Sequence, residues 1–339
     1  MLYATTRSKI QIDTPIHSLC RVSAPDGGMY VPYRLPILAQ NGLDGLKKLD
    51  FSDSMALVLN QLFGTSLTGW DLEFAVGRNP VRLHTQNYKV VVAETWHNLS
   101  WDFDGMVESL SALLQGCAKE QVLVTDWAQI AVRIAVLFGL FGELARQKLL
   151  GKNQTIDVAV TTGDFSGPIA VWYAKQMGLP VGSIICGCNE NSGLWDLVHQ
   201  GELNTGVPVI STITPEGDFS VPPNLERLIY ETLGREESVR FAQITARKGV
   251  YHLPETLLER VNTGFYPAVV SQKRMANVVR STFATHHYLL DPYTALAYGA
   301  LQDYRVGTGE LGTALILSEK SPEHFKHIIS KALGVPASE

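Results

Sequence analysis

Apolar runs of strand length alternate with helix-length segments from residue 88 onward, and this alternation limits the fold more than any other feature. Residues 88–93 (YKVVVA), 156–161 (IDVAVT), 181–187, 207–213 and 311–317 predict strands rich in Val, Ile or Leu. Helical spacing predicts helices over 126–148, 167–177, 224–233, 236–248, 254–261, 270–286, 293–304 and 321–333. Asp126 is a good N-cap for the first of these, and Gly178-Leu179-Pro180 stops the second. Buried strands that alternate with helices argue for an α/β fold, a mostly parallel sheet covered on both faces. Residues before about 89 read as loop-rich, with one helix starting at Ser54 and ending before Gly64.

A chain of 339 residues has room for two domains and a large core. Hydrophobic residues make up 45% and charged residues 18%, which excludes a disordered chain. The 28 Lys and Arg against 33 Asp and Glu leave a net charge of −5, so nothing electrostatic favours nucleic acid or an anionic membrane as partner. The longest apolar stretch, residues 130–144, is interrupted by Arg133 and is shorter than a bilayer span. Residues 1–12 show no apolar run with a cleavage site, and the four cysteines suit a reducing compartment, so a cytoplasmic location is expected. Cys186 and Cys188 end a predicted strand, where cysteine serves as a small hydrophobe.

The best candidate site is TTGDFSG at 161–167, between a strand and a helix. Thr162, Gly163, Asp164, Phe165, Ser166 and Gly167 form a turn whose backbone N–H groups and helix N-terminus suit a phosphate. Asp164 places a fixed negative charge there, which repels one. An ordinary turn with Asp164 or Ser166 as N-cap explains the same pattern. His97, with Asp102 and Asp104 close in sequence, suits a general base or a ligand, or a satisfied loop histidine. The metal-ligand spacings HxxxH and CxxC are both absent, and so are the GxSxG and Walker A motifs.

Read in order, several stretches resemble threonine synthase, a family of pyridoxal-phosphate (PLP) enzymes of fold type II, like the tryptophan synthase β chain. Tyr3-Ala-Thr-Thr-Arg7 is similar to the family's Y-x-S-T-R-G, and APDGGMYVP at 24–32 to its A-P-D-G-G-L-Y/F-V-P. ETWH at 94–97, YAKQMGLP at 173–180, NEN at 189–191, NLER at 224–227, DPYTA at 291–295 and SEKSPEHF at 318–325 follow family motifs in the same order. The resemblance implies a three-layer, mostly parallel sheet of the PLP fold type II. It implies an N-terminal threonine-synthase-type cap domain at 1–90 and a large domain at 91–339.

The departures bear on activity. The family's G-P-T-x-A-F-K-D carries the lysine that forms an imine with PLP; here Asp104 stands at that position, and a carboxylate forms no imine. The family's phosphate loop has Asn and Gly where this chain has Asp164 and Ser166, and its Thr beside the pyridine nitrogen falls at Glu319. A single short helix, 106–115, leads directly to VLVTDW at 122–127, so the small mobile lobe of roughly 80–100 residues that the family carries there is largely missing.

The expected function is therefore a degenerate member that does not run PLP chemistry, with neither PLP nor a metal as cofactor. It would be a pseudoenzyme that binds a small molecule around His97, Asp104, Asp164 and Glu319, or regulates through a homodimer or a complex with a paralogue. The alternatives are the family's lyase activity, from O-phosphohomoserine to threonine, or a repurposed carboxylate- or metal-dependent enzyme.

Overall fold

The computed structural model describes residues 1–8, 12–15, 17–38, 43–78, 80–86, 89–96, 103–118, 121–151, 154–262 and 264–334. The N-terminal part holds β1 (Tyr3–Thr5), α1 (His17–Cys20), β2 (Tyr30–Pro32), α2 (Leu43–Leu46), α3 (Phe51–Phe63) and α4 (Gly69–Val76). Then follow β3 (Arg82–Gln86), β4 (Val90–Glu94), α5 (Phe103–Gln115), α6 (Asp126–Arg146), β5 (Ile156–Thr161), α7 (Ser166–Gln176), β6 (Val181–Cys188), α8 (Gly193–Gln200) and β7 (Glu202–Asn204). The last part comprises α9 (Leu225–Leu233), α10 (Arg235–Ala246), β8 (Val250–His252), α11 (Glu255–Asn262), β9 (Phe265–Val269), α12 (Gln272–His286), α13 (Pro292–Thr308), β10 (Ala314–Ser318) and α14 (Lys326–Leu333).

One six-stranded sheet runs in the order β3-β4-β10-β5-β6-β9, parallel throughout except for β3 at one edge. Alternate residues of each strand feed two separate cores. Val91, Val158, Val160, Ile184 and Leu315 pack toward α3, α6 and α7, whereas Val90, Val92, Ala159, Ile185 and Ile316 pack toward α12, α13 and α14. Gly187 lets α13 lie directly on β6, since a Cβ there would meet the Leu296 carbonyl at 2.5 Å.

The N-terminal segments join the first core. Tyr3 donates its hydroxyl to the Leu62 carbonyl at 3.1 Å and accepts from Trp127 Nε1 at 3.0 Å. The sheet itself reaches back ahead of residue 90 through β3.

Several expectations need correction. Residues 207–213 form no strand. Pro208 cannot donate to a ladder, and the Asn191 side chain instead accepts from Ile210 N and donates to Ile210 O, both at 2.9 Å. β9, unpredicted because of Pro267, is an edge strand, where proline is tolerated. Thr125, not Asp126, caps α6 by accepting from Ala128 N at 3.1 Å. β4 begins at Val90, and Tyr88 lies outside the described residues. The 21-residue α6 is in fact long and apolar enough to cross a membrane, but 89% of its most apolar window is buried inside the protein. It is the central core helix.

Candidate functional site

A cavity of ≈ 560 Å³ opens at the C-terminal ends of β5 and β10, where α/β sheets commonly bind ligands. Its walls come from the β5–α7 turn, the starts of α5 and α13, one face of α6, Glu216, and the two residues after β10. Thr162, Gly163, Asp164, Ser166, Gly167, Asp104 and Glu319 all line it. Phe165 instead turns into the core, its ring 5.8 Å from Phe265. His97 and Asp102 lie outside the described residues.

The turn into α7 is built around Asp164. Phe165, with φ of 73°, occupies the cap position and has no side chain that can cap. Asp164 reaches over it: Oδ1 accepts from Ser166 N at 2.9 Å and from the Ser166 hydroxyl. Its Oδ2 accepts from Asn224 Nδ2 at 3.0 Å, and its carbonyl from Asn224 N at 3.0 Å. A carboxylate of the chain thus sits on the helix N-terminus, where positive dipole and free N–H groups favour an anion.

Arg133 was visible in the sequence only as an interruption, and it organises one wall. Its Nε donates to Glu319 Oε1 at 2.7 Å and its Nη2 to Glu319 Oε2 at 2.8 Å. Its Nη1 donates to Ser166 Oγ at 3.1 Å, and the guanidinium lies 4.2 Å from the centre of the Phe103 ring. Burial alone would lower its pKa, but Glu319, with Asp164 and Asp104, raises it overall, so Arg133 stays charged. This two-pronged contact satisfies both groups in a largely buried setting.

A second tie spans the opposite wall. Lys320 Nζ lies 2.6 Å from Asp104 Oδ2 and 3.2 Å from Glu216 Oε1, so it links α5 to the turn at 215–217. That turn packs on the β5–α7 loop, with a Cβ on Gly217 4.0 Å from Gly163 Cα. Neither Lys320 nor Glu216 carried a sequence signal, because their partners lie 216 and 104 residues away.

Asp291 caps α13 beside the cavity, accepting from Tyr293 N at 2.8 Å and Thr294 N at 3.1 Å; burial pushes its pKa up to about 6. Cys186 and Cys188 are buried, and burial pushes the Cys188 thiol up to about 12. The carboxylates at 104, 164 and 319 therefore converge on one cavity, each with its own partner. Among the described residues, no three His, Cys, Asp or Glu gather in a way that could hold a metal ion.

No family model matches the chain. Threonine synthase-like 1 of Homo sapiens is 25% identical over 175 residues, covering 51% of this chain and 24% of that protein. Threonine synthase of Pseudomonas aeruginosa is 26% identical over 259 residues, covering 71% and 52%. The chain thus matches between a quarter and a half of the length of these relatives. The PLP-bound threonine synthase of Brucella melitensis superposes with a TM-score of 0.84 at 19% identity, covering 99% of this chain and 92% of that one. The chain is similar in sequence to threonine synthases and has the α/β fold of the solved ones.

Proposed function

We propose that this threonine-synthase-like chain is a pseudoenzyme that does not run PLP chemistry and keeps its cavity for another small molecule. The observation that carries this reading is that the chain's own groups satisfy the charges at the β5–α7 turn and at Glu319. Asp164 takes the amide and hydroxyl of Ser166 at the α7 N-terminus, and Glu319 takes the guanidinium of Arg133. A PLP phosphate brought to that turn would face the Asp164 carboxylate, in a setting where two anions repel strongly.

The residues present do not fit PLP in other respects. By the motif order, Asp104 stands where an imine-forming lysine belongs. Among the described residues the one lysine on the cavity wall, Lys320, is tied to Asp104 and Glu216. The linker from α5 to α6 spans only residues 116–125, which supports the reading that no mobile lobe closes the site. Without one, reactive intermediates would stand open to water.

The test is to mix the protein with PLP and follow absorbance between roughly 410 and 430 nm, with borohydride reduction and mass analysis. No imine band and no added mass are expected. A reducible imine on any lysine, or threonine formation from O-phosphohomoserine, would overturn the reading. Regulation through a homodimer or a paralogue complex belongs to the same proposal. Light scattering of the protein alone and with a full-length paralogue tests it, and a monomer that takes no partner retires that part.

A further inference from the structure

We infer that α4 carries a self-association surface whose occupant is a second copy of this chain. The inference rests on the homodimer in the reading above and gives it a place. Trp70 and Phe74 stand one turn apart on α4 and are 77% and 88% exposed. The helix does not need them to dock, because Leu72 and Val76 on its opposite side are fully buried. Its start is fixed independently by the capping box of Thr68 and Asp71. Two large aromatic side chains side by side in water mark a contact site.

The charges around the two rings say what covers them. The N-terminal end of α4 is acidic, with Asp71 in its first turn and the Asp53 carboxylate packed against Gly69. Arg78 stands at the other end, just past the Gly77 cap. It is 85% exposed, and Glu73 holds it only loosely, with Nε 3.9 Å from Glu73 Oε2. Along the helix the strip therefore runs acidic, aromatic, basic. Two copies of α4 laid antiparallel about a two-fold axis at Phe74 match this order twice. Phe74 then packs on Phe74, and each Arg78 reaches the Trp70 ring and the Asp71 carboxylate of the other copy. Positions 70 and 78 are equally far from 74, so a single register serves both ends. The helix dipoles run in opposite directions as well. A partner of one charge sign would leave one end of the strip unmatched. Four aromatic side chains cover roughly 600–1,000 Å² in all. That is below the size of a permanent interface, so the dimer is weak and depends on concentration.

The experiment is sedimentation velocity of the full chain across the micromolar range at low salt. The mass is expected to rise from that of one chain toward that of two. Phe74→Glu should weaken association at least about tenfold, and Arg78→Glu should weaken it too. Both side chains are exposed, so the variants keep the fold. A Cys117→Ser background removes the exposed native thiol. In it, Phe74→Cys should give a disulfide-linked dimer on mild oxidation, whereas Val306→Cys, on α13 and 87% exposed, should not. A monomer at every concentration, unchanged association in Phe74→Glu, or equal cross-linking at 306 overturns the inference. A dimer that survives Phe74→Glu defeats this surface alone and leaves the homodimer standing. A reducible imine with PLP defeats the pseudoenzyme reading and leaves the surface.

Discussion

Arg133 and Glu319 meet through two parallel hydrogen bonds of 2.7 and 2.8 Å, joining the central core helix to the residue that follows the central strand β10. The pair lies 186 residues apart in sequence, and both residues line the cavity. Largely buried charges of this kind are tolerated only in company, so each holds the other in place.

Removing one partner should therefore be severe. Arg133→Leu leaves Glu319 without its counter-charge and is expected to destabilise the protein by about 3–5 kcal/mol in urea denaturation. The double variant Arg133→Leu/Glu319→Leu should recover much of that loss, because no uncompensated charge remains. Additive losses in the double-mutant cycle would show that the pair is not coupled.

The α7 N-terminus holds Asp164 in the place of an anion. Asp164→Asn with Ser166→Gly removes the negative charge and the Ser166 hydroxyl, leaving only a neutral amide oxygen at the N–H of residue 166. This variant should gain stabilisation from inorganic phosphate over chloride at matched ionic strength, and the unaltered protein should show none. Differential melting temperatures check this. Equal responses in both proteins would mean that Asp164 is not what repels phosphate.

Lys320 ties two exposed carboxylates across the cavity. Asp104 and Glu216 have side chains 53% and 60% exposed, so Lys320→Met should change the urea midpoint little. Its effect should be local, with faster amide exchange over residues 103–108 and 214–218. Exchange that rises across the whole chain instead would make Lys320 a general stability residue.

Glu231 sets a pH dependence away from the cavity. Burial raises its pKa from 4.5 to about 7, against the opposing hydrogen bond from Tyr173 and the charge of Arg227. The folded protein thus holds this proton more tightly than the unfolded chain does. Its contribution to stability declines as pH rises from about 4.5 through 7 and stays low above that. Glu231→Gln keeps an acceptor for Tyr173 and removes the decline. Urea midpoints at pH 4.5 and pH 8 should show the variant gaining on the native chain only at the higher pH; parallel changes would contradict this.

The strands at 156–161 and 181–188 and the helix at 126–146 were legible in the sequence because their signals are local. Apolar runs, helical spacing and stop residues act within a dozen positions. β9 was not legible, since Pro267 argues against a strand unless it is known to lie at an edge. The absent strand at 207–213 has the opposite cause. Its apolar content favours pairing, but the partner it found was the Asn191 side chain.

For the site, the sequence marked Asp104, Asp164, Ser166 and Glu319 as departures within ordered motifs and left open whether they meet; all four line one cavity. What it could not determine was their state. Three carboxylates written in a row of motifs read as an acidic cluster open to cations. Only the tertiary structure decided that each is already matched, Glu319 by Arg133, Asp104 by Lys320 and Asp164 by Ser166 and Asn224. Electrostatic partnership depends on distance in space, falling off over a few ångströms. Chain folding brought together charges separated by 186 and 216 residues, and no local pattern records that separation.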